Sequence, residues 1–149
     1  MVEVRDAIEV DASMARVWAA VVETSAHAQW HPLVSAISGV HELGAARVCD
    51  VVTGRREGQS RERCTTYEEG REIAWTVLED TSSFSKLVTD WSAGFELEAR
   101  SGDRTRVVAS SRFEPRSLVV RLTLPLIRRK FHQAQRRILA GLGSHLTEN

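Results

Sequence analysis

Hydrophobic and polar residues alternate with a period of two at the start of the chain. Residues 2–10 carry an apolar face made of Val2, Val4, Ile8 and Val10. This alternation predicts a β-strand. Asp6 falls on the same face, where its carboxylate must be hydrogen-bonded, paired or neutralised unless the end of the strand stays solvated, because burying a bare charge is costly.

The pattern then changes to the spacing of a helix. A first helix is predicted to run to about Thr24. Its apolar residues are Met14, Val17, Trp18, Val21 and Val22. Ser13 can cap this helix. A second, short helix is predicted over residues 26–31 with Ser25 as its cap, and it stops at His31 because a residue before proline is pushed out of the α region.

From about residue 35 to residue 114 the period returns to two. Turn signals interrupt it at Gly39, Gly44, Gly54, Gly58, Gly70 and Gly102-Asp103. The clearest strand covers residues 90–99, whose apolar face is Trp91, Ala93, Phe95, Leu97 and Ala99. Residues 72–78 and 104–113 alternate in the same way, which predicts half-buried antiparallel strands.

The last predicted element is a long amphipathic helix. Its apolar positions are Leu124, Ile127, Phe131, Ala134, Ile138 and Leu142. Pro125 fits the first turn of this helix, or kinks it if the helix starts near Leu118. The order of strand, two helices, about six strands and a long helix predicts one α+β domain over residues 1–149.

This order and several motifs resemble the START/polyketide cyclase superfamily, also called SRPBCC, which has the helix-grip fold. The matching segments are IEVDASMARVW (8–18), WHPLV (30–34), REIAWTV (71–77), GDRTRVVAS (102–110) and the helix from Pro125. The resemblance implies a seven-stranded curled antiparallel sheet wrapped around the long C-terminal helix, with two short helices after the first strand. It also implies a cavity between sheet and helix that binds a lipid, polyketide, sterol or quinone.

The wall of such a cavity can be assigned from the inward positions. A single helix cannot fill a sheet that curls around it, and unfilled apolar space binds apolar molecules. The expected wall residues are Trp30, Cys64, Thr66, Trp75, Trp91, Phe95, Ser111, Ile127 and Phe131. Trp18 is assigned to the core. In AQWHPLV (28–34), Trp30 is predicted to lie over the cavity as a lid with His31 at its rim.

The hairpin over residues 46–67 offers a second carboxylate. If Cys and Thr mark its inner side, the inward residues are Cys49, Val51, Glu62, Cys64 and Thr66; a bulge or the opposite parity reverses this. Closing the hairpin through RREG (55–58) places Cys49 opposite Cys64, both as thiols. Glu62, Asp6 and His31 are weak candidates for acid–base catalysis.

Composition excludes several classes of protein. The chain is 42% hydrophobic and 27% charged, typical of a globular protein, and no run reaches the ~20 apolar residues of a membrane span. A cytoplasmic location is expected because the N-terminus resembles no targeting peptide. The histidines lack metal-ligand spacing and no phosphate-binding loop, nucleophile elbow or HExxH motif occurs, so neither a metal nor a cofactor is expected.

The net charge is zero but unevenly distributed. Residues 116–149 contain seven basic residues and a single acidic one. This is either the solvated face of a helix or a patch for acidic lipid or RNA. The patch would consist of Arg128, Arg129, Lys130, Arg136 and Arg137.

Three functions follow, in order of preference. The first is binding, for transport or sequestration, of a small hydrophobic or amphipathic molecule in the cavity. The second is a polyketide cyclase or dehydratase that uses acid–base residues in the same cavity. The third is a ribosome-, RNA- or membrane-associated interaction module that uses the basic helix. All three remain open because fold alone does not fix function. A monomer and a dimer are both compatible with the sequence.

Overall fold

A curled sheet of seven antiparallel strands forms the framework of the computed structural model, which describes residues 1–23, 27, 29–39, 42–53, 55–81 and 83–148. The strands are β1 (Val2–Val10), β2 (Val34–Gly39), β3 (Ala46–Thr53), β4 (Arg56–Glu68), β5 (Glu72–Asp80), β6 (Val88–Arg100) and β7 (Arg104–Pro115). Their spatial order is β1-β7-β6-β5-β4-β3-β2. The predicted α+β helix-grip fold is confirmed.

The first and the last helix lie where the sequence predicts them, and an additional short helix precedes the last one. They are α1 (Met14–Val22), α2 (Leu118–Leu122) and α3 (Leu124–Glu148), and a 3-10 turn covers Ser83–Lys86. The Ser13 hydroxyl caps α1 by accepting from the Arg16 N–H at 3.3 Å. The first helix ends at Val22 rather than near Thr24, which lies outside the described residues.

The predicted second helix is only partly described. His27, Gln29 and Trp30 are helical, while Ser25, Ala26 and Ala28 lie outside the described residues. The His31 N–H donates to the His27 carbonyl at 2.7 Å, and the helical assignment stops before Pro32 as expected.

Pro125 lies in the first turn of the long helix, which is the first of the two predicted alternatives. A separate short helix, α2, begins at Leu118 with Ser117 as its cap, and α3 begins at Leu124 with Pro125 in its first turn. Thr123 separates the two helices, so the proline starts a new helix instead of kinking a continuous one. None of the helices within the described ranges is long and apolar enough to cross a membrane.

The predicted register of the β3–β4 hairpin is wrong. Thr53 pairs with Arg56, so the two strands are already paired at Arg56 and RREG (55–58) does not close the hairpin. Cys49 consequently pairs with Ser60 rather than with Cys64, and both cysteines are free. The sequence has turn signals at both Gly54 and Gly58, and the choice between them changes every cross-strand partner in the hairpin.

The inward parity of β4 holds only as far as Cys64. A β-bulge between Cys64 and Thr66 lets Thr66 pair with Ala74 on the outer face. Tyr67 then packs against the core in its place. Thr66 therefore does not join the inner wall, because one extra residue reverses the side-chain alternation.

The inner face of the sheet holds two apolar clusters. The larger cluster contains Trp18, Trp30, Trp75, Phe95 and Leu139 among others. The smaller contains Val4, Val88, Phe113, Ile127 and Phe131, with Trp91 packed against it. Within the described residues α3 packs on β1 and β7, at one side of the sheet.

Polar side chains separate the two clusters along α3. Gln135 is buried where the sequence pattern placed Ala134 on the apolar stripe. Its side chain accepts from the Ser111 hydroxyl at 2.7 Å and donates to the Asp6 carboxylate at 2.8 Å. His132 Nδ1 and Arg136 Nε donate to the same carboxylate at 2.8 and 3.2 Å.

Asp6 is therefore not the solvated end of a strand. Its side chain is only 9% exposed and is held by three residues of α3. Such a carboxylate fixes the helix on β1, because losing its partners would leave a buried charge uncompensated.

This arrangement predicts that Asp6→Asn destabilises the protein by about 2–3 kcal/mol, because the amide donors of asparagine would face the donors of α3. Urea unfolding measures the change. Glu9→Gln on the same strand is the control, since the Glu9 side chain is 45% exposed in its ion pairs with Arg100 and Arg104. It should cost at most about 0.5 kcal/mol. Equal losses for both variants would contradict the assignment of Asp6.

Candidate functional site

The sheet opens between β5 and β6. These strands pair only from Glu72–Glu96 to Thr76–Ser92. Beyond that point the end of β5 stays paired with β4, and the start of β6 stays paired with β7. The two halves of the sheet diverge, and their unpaired edges face a gap.

The local conformation of β6 accounts for this gap. Asp90 has a positive φ of 53°, which aspartate tolerates better than most residues. The β6–β7 register shifts between Thr89 and Ser92. Bulges of this kind bend a strand and redirect its side chains, and here Trp91 packs inward against Phe131 with ring centroids 5.7 Å apart.

A pocket of about 180 Å³ occupies the gap. Its apolar lining includes Val77, Val88 and Trp91, and its polar rim includes Asp80, Ser85 and Arg116. Arg116 holds one side of the rim by donating to the carbonyls of Ser85 and Val88 at 2.8 and 3.4 Å. Of the predicted wall residues, Trp91 alone borders this pocket.

A buried ion pair lies next to the pocket residue Val77, in the same row of paired residues across the sheet. Glu62 of β4 pairs with Val77 of β5 on one side and with Arg47 of β3 on the other. Arg47 Nε and Nη2 both approach Glu62 Oε1, at 2.8 and 2.7 Å. The Ser60 hydroxyl donates to Glu62 Oε2 at 2.8 Å, and the Cys49 thiol lies 3.8 Å from Oε1.

Arg47 also stacks on an aromatic ring. Its guanidinium carbon lies 3.6 Å from the ring centroid of Trp75, a close cation–π contact. The Arg47 side chain is 9% exposed, so the charge sits within the inner wall. Sequence reasoning missed this residue, although the alternation that placed Cys49 and Val51 inward also places Arg47 inward.

Two buried donors in this region have no acceptor among the described residues. They are Arg47 Nη1 and the indole nitrogen Nε1 of Trp91. A buried donor without a hydrogen-bond acceptor costs about 1–3 kcal/mol of stability. Buried donors are therefore nearly always satisfied by protein, water or ligand. A ligand oxygen placed next to either nitrogen could accept a hydrogen bond from it.

His27 and Trp30 pack on the larger cluster, and we call these two residues the lid. The Trp30 indole donates to the Ala20 carbonyl at 3.0 Å. His27 is buried, contacts the Val21 carbonyl through Nε2, and meets Trp30 and Trp75 edge-to-face. At Gly141 of α3, a β-carbon would collide with the Trp30 carbonyl oxygen. The absence of a side chain at Gly141 therefore lets the lid lie directly on the helix.

His31 lies beside this lid as a neutral imidazole. Burial, with smaller contributions from the charges of His27 and Arg47, lowers its pKa from 6.5 to about 3. Its Nδ1 accepts from the Leu33 N–H at 3.2 Å. A histidine of this kind is a poor proton donor or acceptor near neutral pH.

The two thiols are also unreactive by environment. Burial, reinforced by the neighbouring Glu62, raises the pKa of Cys49 to about 12. Burial likewise raises the pKa of Cys64 above its usual value. Neither cysteine has the lowered pKa of a nucleophile.

The predicted wall residues fall into separate groups. Trp30, Cys64, Trp75 and Phe95 lie in the larger cluster, and Trp91, Ile127 and Phe131 in or against the smaller one. Ser111 lies between them in its hydrogen bond to Gln135. The helix and sheet interlock at Phe131, which stacks on Phe113 with centroids 4.6 Å apart. The pocket at the gap in the sheet is lined by no residue of α3.

Residues 1–147 match the protein family described as polyketide cyclase / dehydrase and lipid transport. The chain belongs to this family. The sequence-based recognition of the START/SRPBCC group is thereby confirmed. No curated protein matches the chain in sequence.

Two solved structures are similar to this chain in fold. A START superfamily protein from Mycobacterium smegmatis is similar with a TM-score of 0.81 at 15% identity, over 98% of this chain and 97% of the other. The ginseng major latex-like protein 151 from Panax ginseng has a TM-score of 0.78 at 8% identity, over 97% and 96%. Identities this low establish the fold alone, and both family and fold fit a role in binding hydrophobic ligands.

The lid contact predicts opposite effects at two glycines of α3. Gly141→Ala should lower the free energy of unfolding by about 1–3 kcal/mol, because its methyl group would push the lid away. Gly143→Ala is the matched control, since a β-carbon there meets side chains only at 3.5 Å or more. It should be neutral or stabilising by up to about 1 kcal/mol through helix propensity. Stabilisation by both alanines would contradict the close contact of the lid with α3.

The environment of His31 predicts a pH-dependent stability. Because its folded pKa lies below its unfolded value of 6.5, the unfolded chain binds the proton first as pH falls, and stability declines from pH 6.5 towards pH 3. His31→Asn should match the wild type at pH 7, since an asparagine oxygen can also accept from the N–H two residues on. At pH 5 the variant should be about 1–2 kcal/mol more stable than wild type, measured by urea unfolding. Parallel pH profiles for the two proteins would refute the assignment.

Proposed function

We propose that this chain binds a small hydrophobic or amphipathic molecule on the concave face of its sheet, with the polar end of the ligand at Arg47. The observation that carries the proposal is the pair of buried donors, Arg47 Nη1 and Trp91 Nε1. Both belong to walls that are otherwise apolar or internally paired. A ligand oxygen would satisfy a donor while the rest of the molecule contacts the aromatic side chains.

The size of the pocket bears on how such a ligand is held. A cavity of about 150 Å³ accommodates benzene, so the 180 Å³ at the gap holds about one ring without rearrangement. Val77 lines this pocket and is the strand neighbour of Glu62. A longer ligand would therefore extend from the ion pair past Val77 towards the gap.

The charge of the site favours a neutral polar end. Glu62 already neutralises Arg47, so the pair has no net charge to offer an anion. A carboxylate ligand would bring a second negative charge close to Glu62, which is unfavourable in a buried site. A ketone, ester or hydroxyl oxygen can accept from Arg47 without this repulsion, so sterol-, quinone- or polyketide-like molecules fit better than free fatty acids.

Catalysis is less well supported than binding. Glu62 is engaged by Arg47 and Ser60, and Asp6 is engaged by α3. His31 has its pKa lowered to about 3. Because both carboxylates are already held in hydrogen bonds and His31 stays neutral, we place the cyclase or dehydratase alternative second.

A matched ligand series tests the polar-end preference. Fatty alcohol, methyl ketone and fatty acid of equal chain length are titrated into protein freed of copurified lipid, with binding followed by calorimetry and by the rise in Tm. The alcohol and the ketone should bind more tightly than the acid. Tighter binding of the acid would contradict the neutral polar end, and no binding by any of the series or by an aromatic ketone would overturn the proposal.

A charge-neutral double variant tests the site. Arg47→Met with Glu62→Gln removes the donor without leaving a buried charge, and should weaken binding of the ketone about tenfold. Arg63→Met is the control because Arg63 is exposed on the outer face of β4. Trp91→Phe removes the second donor and keeps an aromatic ring, so it separates donor loss from misfolding. Unchanged affinity in the double variant and in Trp91→Phe would exclude both donors.

A further inference from the structure

Four large apolar side chains project into solvent where α2 meets α3. They are Leu118, Val119, Leu122 and Leu126, which are 74%, 72%, 78% and 62% exposed. We call these residues the docking patch. Isolated exposed leucines are ordinary on protein surfaces, but four within nine residues form a contiguous apolar surface that typically meets a partner.

The fold holds the docking patch outward. Val120 and Leu124, from the opposite side of the same segment, pack against the smaller apolar cluster. Thr123 interrupts the helix and its hydroxyl donates to the Val120 carbonyl at 2.8 Å. With Val120 and Leu124 facing inward, the patch residues cannot turn into the core without unpacking it.

Basic residues border the docking patch. Arg121 directly precedes Leu122 in the chain. Arg129 and Lys130 follow one turn after Leu126, on the same side of α3. All three are exposed, and within the described part of the chain neither Arg129 nor Lys130 forms a salt bridge. From residue 116 to residue 147 the sequence contains no acidic residue.

The docking patch also adjoins the pocket at the gap in the sheet. Arg116, on the pocket rim, precedes the patch by two residues along the chain. Leu78 lines the same pocket and is itself 41% exposed. Ser117 alone separates the rim residue Arg116 from the docking patch along the chain.

We propose that the docking patch inserts into the surface of an anionic membrane, with Arg121, Arg129 and Lys130 contacting lipid phosphates. Apolar side chains bordered by long basic ones are the pattern that interfacial segments use, since the leucines enter the acyl boundary and the cations remain at the headgroups. A second copy of the chain fits less well because two basic surfaces would repel. RNA fits less well because it gains nothing from four leucines.

Vesicle binding tests the proposal on the protein without ligand. Wild-type protein should cosediment with phosphatidylcholine vesicles containing phosphatidylglycerol and much less with phosphatidylcholine alone. Salt should weaken the binding, since screening shortens the reach of the basic residues. Leu122→Trp adds a reporter at the patch, whose fluorescence should shift to the blue and be quenched by brominated lipid.

Matched variants separate insertion from simple charge attraction. Leu122→Gln with Leu126→Gln should weaken vesicle binding about tenfold or more, whereas Leu43→Gln, also an exposed leucine, should not. Arg129→Gln with Lys130→Gln should weaken it about twenty-five-fold, which is fivefold for each charge. The control is Arg55→Gln with Arg56→Gln, two exposed residues at the β3–β4 turn.

Several outcomes would overturn the proposal. These are absence of binding to anionic vesicles, binding that the leucine substitutions leave unchanged, a wild-type dimer that those substitutions dissociate, and a preference for RNA over vesicles at equal salt. Because the vesicles contain no candidate ligand, the result does not depend on the proposed ligand site. Failure of Arg47 to bind a ligand and failure of the docking patch to bind lipid are thus distinguished.

Discussion

The position of the long helix depends on one buried carboxylate. Asp6 projects from the inner face of β1 and is held by His132, Gln135 and Arg136 of α3. Because a buried charge requires these partners, the helix is fixed at the β1–β7 side of the sheet. The inner face of β3–β5 must then be covered by other groups, and the segment containing His27 and Trp30 provides part of that cover over Trp75.

Buried charges also need partners at the other side of the inner face, on β3 and β4. Arg47 and Glu62 can remain buried there because they neutralise each other and because Trp75 supports the guanidinium. Next to them the sheet divides, since β5 follows β4 while β6 follows β7. Arg116, on the rim of the pocket at this division, precedes the docking patch by two residues. Binding site and membrane contact, as proposed, would therefore share one side of the molecule.

Sequence patterns identified whole elements better than individual contacts. The alternation in residues 90–99 and the cap at Ser13 were sufficient for β6 and α1 because both are local features. The register of the β3–β4 hairpin was not, because the choice between two nearby turns changes every partner. Thr66 was misassigned because a bulge adds one residue without leaving a local pattern. Gln135 was missed because a polar residue on an apolar stripe is recognisable as buried only once its partners are known.

The sequence by itself determined the fold family, the order of the elements and the inward direction of most aromatic residues. These depend on hydrophobic periodicity, capping and proline, which act over a few neighbouring residues. Only the tertiary structure decided that Asp6 is held by α3, that Arg47 is buried between Glu62 and Trp75, and that a pocket lies between β5 and β6. Each of these depends on residues distant in the chain meeting across strands or between sheet and helix, and such meetings are set by register and packing rather than by local pattern.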